Sequence, residues 1–447
     1  MNQTFMKDKP VLPLVLSMSL PMVLSMLTNS LYNIIDSYFV ARISEDAMTA
    51  ISLVYPLQLL VTAVGVGFGI GINAVAAYFL GAQDGEKAND AASAGMVCSL
   101  IHGILLTAVC ILGAPVFLRL FTQDQNILQY GLHYSYIVFS FSTVITAAVA
   151  FEKIFQAEGK MTVSMISMLC GSIANIILDP IMIFGLDPFP VMGIRGAAWA
   201  TVIGQALTLV IYLVVYFIRP LPLRLRFRRD IFDRDLCKRI YLVGVPATLN
   251  MALPSLLITC LNGILSVFSP MYVFILGVYY KLQTFIYLTA NGIVQGIRPI
   301  VGYNYGAKEY PRIRQVFRTA LTLAAVVMGL GMVICLCFAG SLTGLFTDQP
   351  ATILAGQKAL RVISFGFVVS SVSVIVSGTL EGLGKGIHSM IISLMRYIVV
   401  ILPAAYLLSR CFGPVGVWHA FWIAESVTAL ASMILYRRYV VGKLLAA

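Results

Sequence analysis

Long apolar runs separated by short polar stretches are the main pattern along the chain. Twelve runs are long enough to cross a bilayer, which takes about 20 helical residues each. Transmembrane β-strands would instead show alternating segments of about ten residues, so the pattern predicts helices. The predicted spans are 12–40, 47–80, 91–119, 126–151, 161–184, 193–218, 240–266, 271–303, 315–343, 353–380, 387–409 and 414–437.

Composition agrees with an all-α integral membrane protein. Of the 447 residues, 59% are hydrophobic and 11% are charged, whereas soluble domains carry about 25% charged residues. The net charge of +11 does not indicate nucleic-acid binding, because the basic residues lie mainly between apolar runs. The eight cysteines are scattered, so we expect no disulfide framework. Lys7 and Lys9 precede an apolar run longer than a signal-peptide core, which predicts an uncleaved first helix.

The distribution of basic residues predicts the orientation. The N-terminus, the even-numbered loops and the C-terminus hold 21 lysines and arginines, and the other side holds 6. Short cytoplasmic loops are enriched in these residues. We therefore expect both termini in the cytoplasm and the chain in the bacterial cytoplasmic (inner) membrane.

The two halves of the chain repeat each other at an offset of 225 residues. Each predicted half holds six helices, so both enter the membrane in the same direction, which implies a pseudo-two-fold axis along the membrane normal. The predicted organisation is an N-lobe at 1–218, a basic cytoplasmic linker at 219–239 and a C-lobe at 240–447. The linker either contacts anionic lipid or is simply solvated. Matching positions include Pro21 and Pro246, Gln58 and Gln283, Gly67 and Gly292, Gly71 and Gly296, and Gly159-Lys160 and Gly384-Lys385.

The N-lobe carries polar residues that are costly inside a membrane and are therefore functional candidates. Asn29, Asn33 and Asp36 share one face of the first helix, and Asn175 and Asp179 share one face of the fifth. Two carboxyl groups at one depth can share a proton. With Asn175 and Thr201 they can also bind Na⁺ through oxygen atoms. The alternative is that both aspartates cap helix ends or face the outer aqueous boundary.

The C-lobe has different chemistry. Leu261 and Ala404 stand where the N-lobe has Asp36 and Asp179, and the charged residues inside its spans include Lys281, Arg396 and Glu425. One carboxylate with two cations favours a structural ion pair near mid-membrane. The two cations can instead recognise an anionic group in a cavity.

Other chemistry finds little support in the sequence. The run Gly65-x-Gly67-x-Gly69-x-Gly71 has no preceding strand and no Lys-Ser/Thr after it, so it predicts close helix packing rather than phosphate binding. No GxxxxGK[ST] sequence is present, which excludes ATP-driven transport within this chain. The four histidines are scattered and predict no metal site. We expect a non-enzymatic protein without a cofactor.

The chain resembles the multidrug and toxic compound extrusion (MATE) family along nearly its whole length. Three segments carry the resemblance: SLPMVLSMLTNSLYNIIDSYFVARISEDAMTAISL at 19–53, NIILDPIMIFG at 175–185 and GIRPIVGYNYGAKEY at 296–310. FQAEGK at 155–160 and LEGLGK at 380–385 add to it. Within this family, the sequence most resembles the bacterial branch that has an acidic residue in the N-lobe and none on the seventh helix.

The resemblance implies export of cationic, amphipathic molecules by antiport against H⁺ or Na⁺. The implied cation or proton site is Asp36, Asn175, Asp179 and Thr201, to which we add Asn33. The candidates for a substrate cavity are Asn29, Tyr32, Gln58, Lys281, Gln283, Arg396 and Glu425. We expect a monomer whose partners are the small-molecule substrate and the lipid bilayer. The alternative function is a lipid-linked oligosaccharide or metabolite flippase of the same broad superfamily, which Lys281 and Arg396 would favour.

Overall fold

Helices make up every regular element of the residues that the structure describes. The structure is a computed structural model describing residues 4–185, 190–219, 221–226 and 233–442. Within these ranges, 10 helices are long and apolar enough to cross a membrane, and two bent helix pairs bring the number of spans to 12. The prediction of twelve spans is confirmed, and the chain is a multi-pass membrane protein. Parts of the predicted linker, and Asp187 beyond the fifth span, lie outside the described residues.

The helices fall into two compact units, Leu24–Thr248 (the N-unit) and Met1–Val23 with Leu249–Ala447 (the C-unit). Helices α2 and α9 each belong partly to both. The predicted boundaries at 218 and 240 stay a prediction. The first nine helices are α1 (Phe5–Asp8), α2 (Val11–Ala41), α3 (Glu45–Gly81), α4 (Gly85–Phe121), α5 (Gln125–Ser140), α6 (Ser142–Ala157), α7 (Met161–Phe184), α8 (Ile194–Ile218) and α9 (Arg234–Ser266).

The remaining helices complete the C-unit. A π-helical segment, Met395–Val400, interrupts the eleventh span of the chain. A second one, Arg437–Gly442, ends the described residues. The α-helices are α10 (Pro270–Gly306), α11 (Tyr310–Gly344), α12 (Pro350–Ser364), α13 (Gly366–Gly382), α14 (Gly386–Leu394), α15 (Ile401–Phe412) and α16 (Pro414–Tyr436).

Two spans are bent at equivalent places in the repeat. The pair α5 and α6 bends by 48° at Phe141, and the pair α12 and α13 bends by 47° at Phe365. The sequence pattern predicts each pair as one uninterrupted span. Neither break contains a proline, but a serine beside each break donates to a helix carbonyl three residues earlier, Ser142 to Phe139 and Ser364 to Arg361. Serines that bond back to their own helix favour bending.

Two other helices, α9 and α6, pack closely against the glycine run on α3. A Cβ atom on Gly67 would lie 2.6 Å from the backbone nitrogen of Thr248 on α9. A Cβ atom on Gly69 would lie 2.7 Å from Cγ of Lys153 on α6. The run therefore brings helix backbones close together, as predicted. In the C-unit, Gly292 makes the equivalent approach to Val23 on α2, with a Cβ position 2.9 Å from the Val23 backbone.

Paired turns also follow the repeat. Gly159, after α6, and Gly384, after α13, have φ angles of 76° and 73°. This left-handed conformation is one that glycine adopts without strain. Gln83, after α3, and Lys308, after α10, have φ angles of 59° and 60°. The same backbone turns thus reverse the chain in both units, and the left-handed glycines explain the matching Gly159-Lys160 and Gly384-Lys385 motifs.

Candidate functional site

Two aspartates lie side by side in the N-unit. Asp36 is five residues before the end of α2 at Ala41, and Asp179 is five residues before the end of α7 at Phe184. Their carboxyl groups are within hydrogen-bonding reach of each other. Asp179 is fully buried and Asp36 is half-buried. Since like charges this close oppose double ionisation, the pair is suited to share one proton or to bind one cation.

Amide and hydroxyl oxygens lie next to the carboxyl pair. Nδ2 of the buried Asn175 donates to Oγ1 of Thr201 on α8 across 3.5 Å. Helices α7 and α8 approach closely here, because a Cβ atom on Gly204 would lie 2.7 Å from the carbonyl oxygen of Gly171. Pro180, inside α7, has no N–H to donate to the carbonyl of Ile176. The site thus offers carboxylate, amide, hydroxyl and backbone oxygens on two packed helices, as hard cations prefer.

Tyr134 is a member of this site that the sequence analysis missed. Its side chain is 1% exposed on α5, and its hydroxyl accepts a hydrogen bond of 3.1 Å from Nε2 of Gln58 on α3. The hydroxyl is also within hydrogen-bonding reach of Thr201. Gln58, predicted as a cavity residue, therefore joins the ion-site residues through Tyr134. A single tyrosine in an apolar run carries no sequence signal of this role.

The other N-lobe candidates lie on the same helix as Asp36. Tyr32 is half-buried, and it is within electrostatic range of both carboxyl groups. Asn33 is exposed, and its Nδ2 donates to the backbone carbonyl of Asn29 across 2.6 Å. Asn29 is also exposed. The structure therefore brings Asp36, Asn175, Asp179 and Thr201 together and leaves Asn33 bonded within α2.

The C-unit holds a buried ion pair at the predicted position. Nε of Arg396 donates to Oε1 of Glu425 across 2.8 Å, and Nη2 also contacts this oxygen. Nη2 donates to the hydroxyl of Tyr287 on α10 across 2.9 Å, and this hydroxyl donates to Ser370 on α13 across 2.7 Å. The ion-pair interpretation is thus favoured over two free cations. The pair links four segments of the bundle through polar contacts.

Lys281 does not join that cluster, which corrects the prediction of two cations beside one carboxylate. Its side chain is exposed, and its Nζ lies 5.6 Å from the ring centre of Phe346, which follows α11. Gln283, two residues further along α10, is half-buried. The distance of Lys281 from the start of α10 does not fix its depth in the membrane, because α10 has 37 residues, more than a span requires.

Two further charged clusters are buried in the membrane bundle. Lys153, assigned to a cytoplasmic loop by the sequence pattern, is 3% exposed on α6 and contacts Glu152 across 2.8 Å and Gln156 across 3.1 Å. In the C-unit, Arg298 pairs with Glu381 across 2.6 Å. The predicted fourth span stopped at 151 because adjacent opposite charges look like a loop. Within the helix they neutralise each other.

Known proteins resemble this chain over its full length. The MatE family model matches residues 21–181 and again 246–407, and the starts of these matches reproduce the offset of 225. The multidrug export protein MepA of Staphylococcus haemolyticus is 25% identical over 432 residues, which cover 96% of this chain and 94% of that protein.

Solved structures share the fold. An outward-facing multidrug resistance MATE family transporter of the MOP superfamily has a TM-score of 0.93 and 22% identity, with coverage of 100% of this chain and 99% of the other. A MOP superfamily transporter from Pyrococcus furiosus has a TM-score of 0.91 and 22% identity over 99% and 98% of the two chains. It is described as having a binding pocket of reverse polarity that suggests a different function. The twelve-helix, two-lobe fold is thereby confirmed.

Proposed function

Because the chain belongs to the MatE family, we propose that it is a secondary active efflux transporter. It exports cationic or amphipathic small molecules by antiport with H⁺ or Na⁺. The relatives of nearly equal length are named multidrug export proteins. Transport rather than catalysis is the activity that such relatives carry out.

The observation that supports this proposal most directly is the contact between Asp36 and Asp179. A carboxyl pair on two spanning helices is a costly arrangement in a membrane and suits an ion that must be bound and released. Asn175 and Thr201 supply neutral oxygens for the same ion. Binding of one monovalent ion removes one unit of negative charge from the pair and therefore weakens its attraction for a cationic substrate.

The exchange cycle follows from that competition. With the site empty, the carboxylates attract a cation from the inner side. On the outer side, binding of H⁺ or Na⁺ weakens this attraction, and the substrate dissociates. A ligand shifts a conformational equilibrium only through its different affinity for the two states. The carboxyl pair provides such a difference for both the ion and the substrate.

The proposal includes a location and an assembly state. The protein acts as a monomer in the bacterial cytoplasmic membrane, with both termini in the cytoplasm. The support is the excess of lysine and arginine in the loops on the side of the termini. No cofactor takes part, and the coupling ion is the second ligand.

Transport in proteoliposomes tests the proposal. A pH gradient and a Na⁺ gradient are imposed separately, and the movement of a cationic dye is recorded. One of the two gradients is expected to drive transport, and Asp36→Asn is expected to abolish it. Asp348→Asn is the matched control, because Asp348 is an exposed carboxyl between α11 and α12.

Two results would contradict the proposal. If neither gradient drives transport by the wild-type protein, antiport is wrong. If Asp36→Asn keeps full gradient-driven transport, the assignment of the ion site is wrong. A defect shared equally by Asp348→Asn would show that loss of any carboxyl group impairs the preparation.

The flippase alternative rests on positive charge in the C-unit. Lys281 is exposed there, which favours an anionic head group, whereas Arg396 is buried and paired with Glu425, which leaves no room for a large head group beside it. Loss of a cell-envelope polymer in a deletion strain, without any change in dye sensitivity, would favour this alternative over drug export.

A further inference from the structure

The C-unit has a partly open cavity of about 150 Å³, with a lining of polar and apolar residues, that is separate from the carboxyl pair. Its wall includes Asn250, Arg298, Ser377, Glu381, Ser393 and Arg396. At about 30 Å³ per molecule, this volume corresponds to roughly five waters. Drug-sized ligands use pockets of about 300–1,000 Å³. The cavity is therefore suited to a small polar ligand rather than to a drug.

Both arginines on this wall retain hydrogen-bond donors. Arg396 uses Nε and Nη2 for Glu425 and Tyr287, and Arg298 uses Nε and Nη2 for Glu381. Among the described residues, neither Nη1 atom has a protein acceptor. Arg396 is only 8% exposed, and a buried guanidinium needs acceptors for its donors. An anion in the cavity would supply them.

The carboxylate on the wall does not fill this need. Both oxygens of Glu381 already accept hydrogen bonds, Oε2 from Arg298 across 2.8 Å and Oε1 from Ser389 across 2.9 Å. The hydroxyl groups of Ser377 and Ser393 add further donors to the lining. The charged residues of the lining are two arginines and one carboxylate, so its net charge favours an anion.

One buried acceptor lies among these donors. Oδ1 of Asn250 is buried and has no hydrogen-bond partner among the described residues, while its Nδ2 donates to Ser389 across 3.4 Å. A ligand with a hydroxyl group next to its anionic group would satisfy this oxygen. The side chain of Asn250 therefore favours a ligand that donates a hydrogen bond as well as accepting hydrogen bonds.

The backbone beside Arg396 is also unusual. Arg396 lies in the π-helical segment Met395–Val400. Such segments are rare and occur often at functional sites. At the equivalent N-unit position, 225 residues earlier, the residue is Gly171 within the regular helix α7. The cavity charge is therefore specific to the C-unit rather than a feature shared by both halves of the repeat.

From these contacts we propose that the C-unit cavity binds a small hydroxycarboxylate anion. Its carboxylate accepts hydrogen bonds from Nη1 of Arg396 and of Arg298, and its hydroxyl donates to Oδ1 of Asn250. The serines complete the coordination. This site is independent of the proposed antiport, because none of its residues belongs to the carboxyl pair of the N-unit.

Binding to the purified full-length protein in detergent tests the proposal, with sodium L-lactate as the probe. The probe is titrated against sodium chloride at constant sodium, so that any response to Na⁺ at the N-unit is held fixed and the reference salt has neither a carboxylate nor a hydroxyl group. A saturable rise of the melting temperature with lactate is expected. The double variant Arg396→Gln/Glu425→Gln, which removes both charges of the pair, is expected to bind lactate at least tenfold more weakly.

Two other variants make the result interpretable. Ser393→Leu fills the cavity without changing a charge and is expected to abolish saturation, even if the double variant does not fold. Lys281→Gln removes a cation of the same unit outside the cavity wall and is expected to bind like the wild type. The proposal is overturned if lactate gives no saturable response, or if Ser393→Leu binds lactate as well as the wild type does. A tenfold loss in Lys281→Gln would also overturn it.

Discussion

Gly71 on α3 lies so close to α9 that a Cβ atom added to it would be 2.4 Å from the backbone carbonyl oxygen of Ile240. Its repeat partner, Gly296 on α10, makes the same kind of approach to Ser19 on α2, with a Cβ position 2.8 Å from the Ser19 backbone. In each unit, a glycine at the same repeat position therefore packs against the first half of a helix, which is α9 in the N-unit and α2 in the C-unit. The contacts are with backbone atoms, which cannot move aside as a side chain can.

Gly71→Ala is therefore expected to destabilise the protein. Forcing a methyl group into a closely packed contact costs about 1–3 kcal/mol. Thermal unfolding in detergent, followed by intrinsic fluorescence, should show a lower melting temperature. Gly113→Ala is the matched control, since a Cβ atom there would meet nothing within 4 Å. An equal fall in both variants would mean that the close contact with Ile240 is not the cause.

The sequence predicted most of the fold and the four residues, Asp36, Asn175, Asp179 and Thr201, that the structure brings together. The spans follow from apolar length, and Asp36 and Asp179 stood out because carboxyl groups are rare in such runs. Tyr134 did not stand out, because tyrosine is common in membrane helices and its role depends on Gln58 and Thr201 from other helices.

Two features could not be predicted from the sequence, and the reason is physical in each case. Lys153 looks like a loop residue until Glu152 and Gln156 are seen to satisfy its ammonium group inside α6. The bends at Phe141 and Phe365 are not marked by a proline, and the serines that flank them also occur in unbent spans. In both cases the relevant contacts are side-chain hydrogen bonds, which hydropathy does not reveal.

Tyr134→Phe tests the role of Tyr134 in the ion site. The change removes the hydroxyl that accepts from Gln58, and an unsatisfied buried amide costs about 1–3 kcal/mol. We expect the half-saturating concentration of the coupling ion to rise by about tenfold or less in the proteoliposome assay. Tyr136→Phe is the control, because Tyr136 is 41% exposed on the same helix. Unchanged ion dependence in Tyr134→Phe would contradict the assignment.

The pair of Arg298 and Glu381 allows a test of how each unit stabilises its buried charges. At the equivalent positions, 225 residues earlier, the N-unit has the neutral residues Asn73 and Gln156. Arg298→Asn alone leaves a buried carboxylate and should cost about 3–5 kcal/mol of unfolding free energy. The double variant Arg298→Asn/Glu381→Gln should recover most of that loss.

Thermal unfolding of the two variants and the wild type measures this recovery. Arg226→Gln is the control, because the 3.8 Å contact of Arg226 with Glu86 is at the surface, where Glu86 is 85% exposed. Its melting temperature should stay close to that of the wild type. If the double variant is as unstable as Arg298→Asn, the loss comes from packing of the arginine rather than from the unpaired carboxylate.

Glu158, in the turn between α6 and α7, predicts a pH dependence of stability. Burial raises the pKa of this carboxyl above its ordinary value of 4.5, although Leu223 N–H and Lys160 contact it. The folded chain thus holds the proton more tightly than the unfolded chain. The stabilisation is complete below the unfolded-state pKa and is lost as the pH rises through the folded-state pKa.

Melting temperatures measured from about pH 4 to pH 8 should therefore fall more with rising pH in the wild type than in Glu158→Gln. The difference between the two curves isolates Glu158 from other titrating groups. Glu86→Gln, at an exposed position on α4, should follow the wild-type curve. Parallel curves for the wild type and Glu158→Gln would mean that the carboxyl of Glu158 titrates alike in both states.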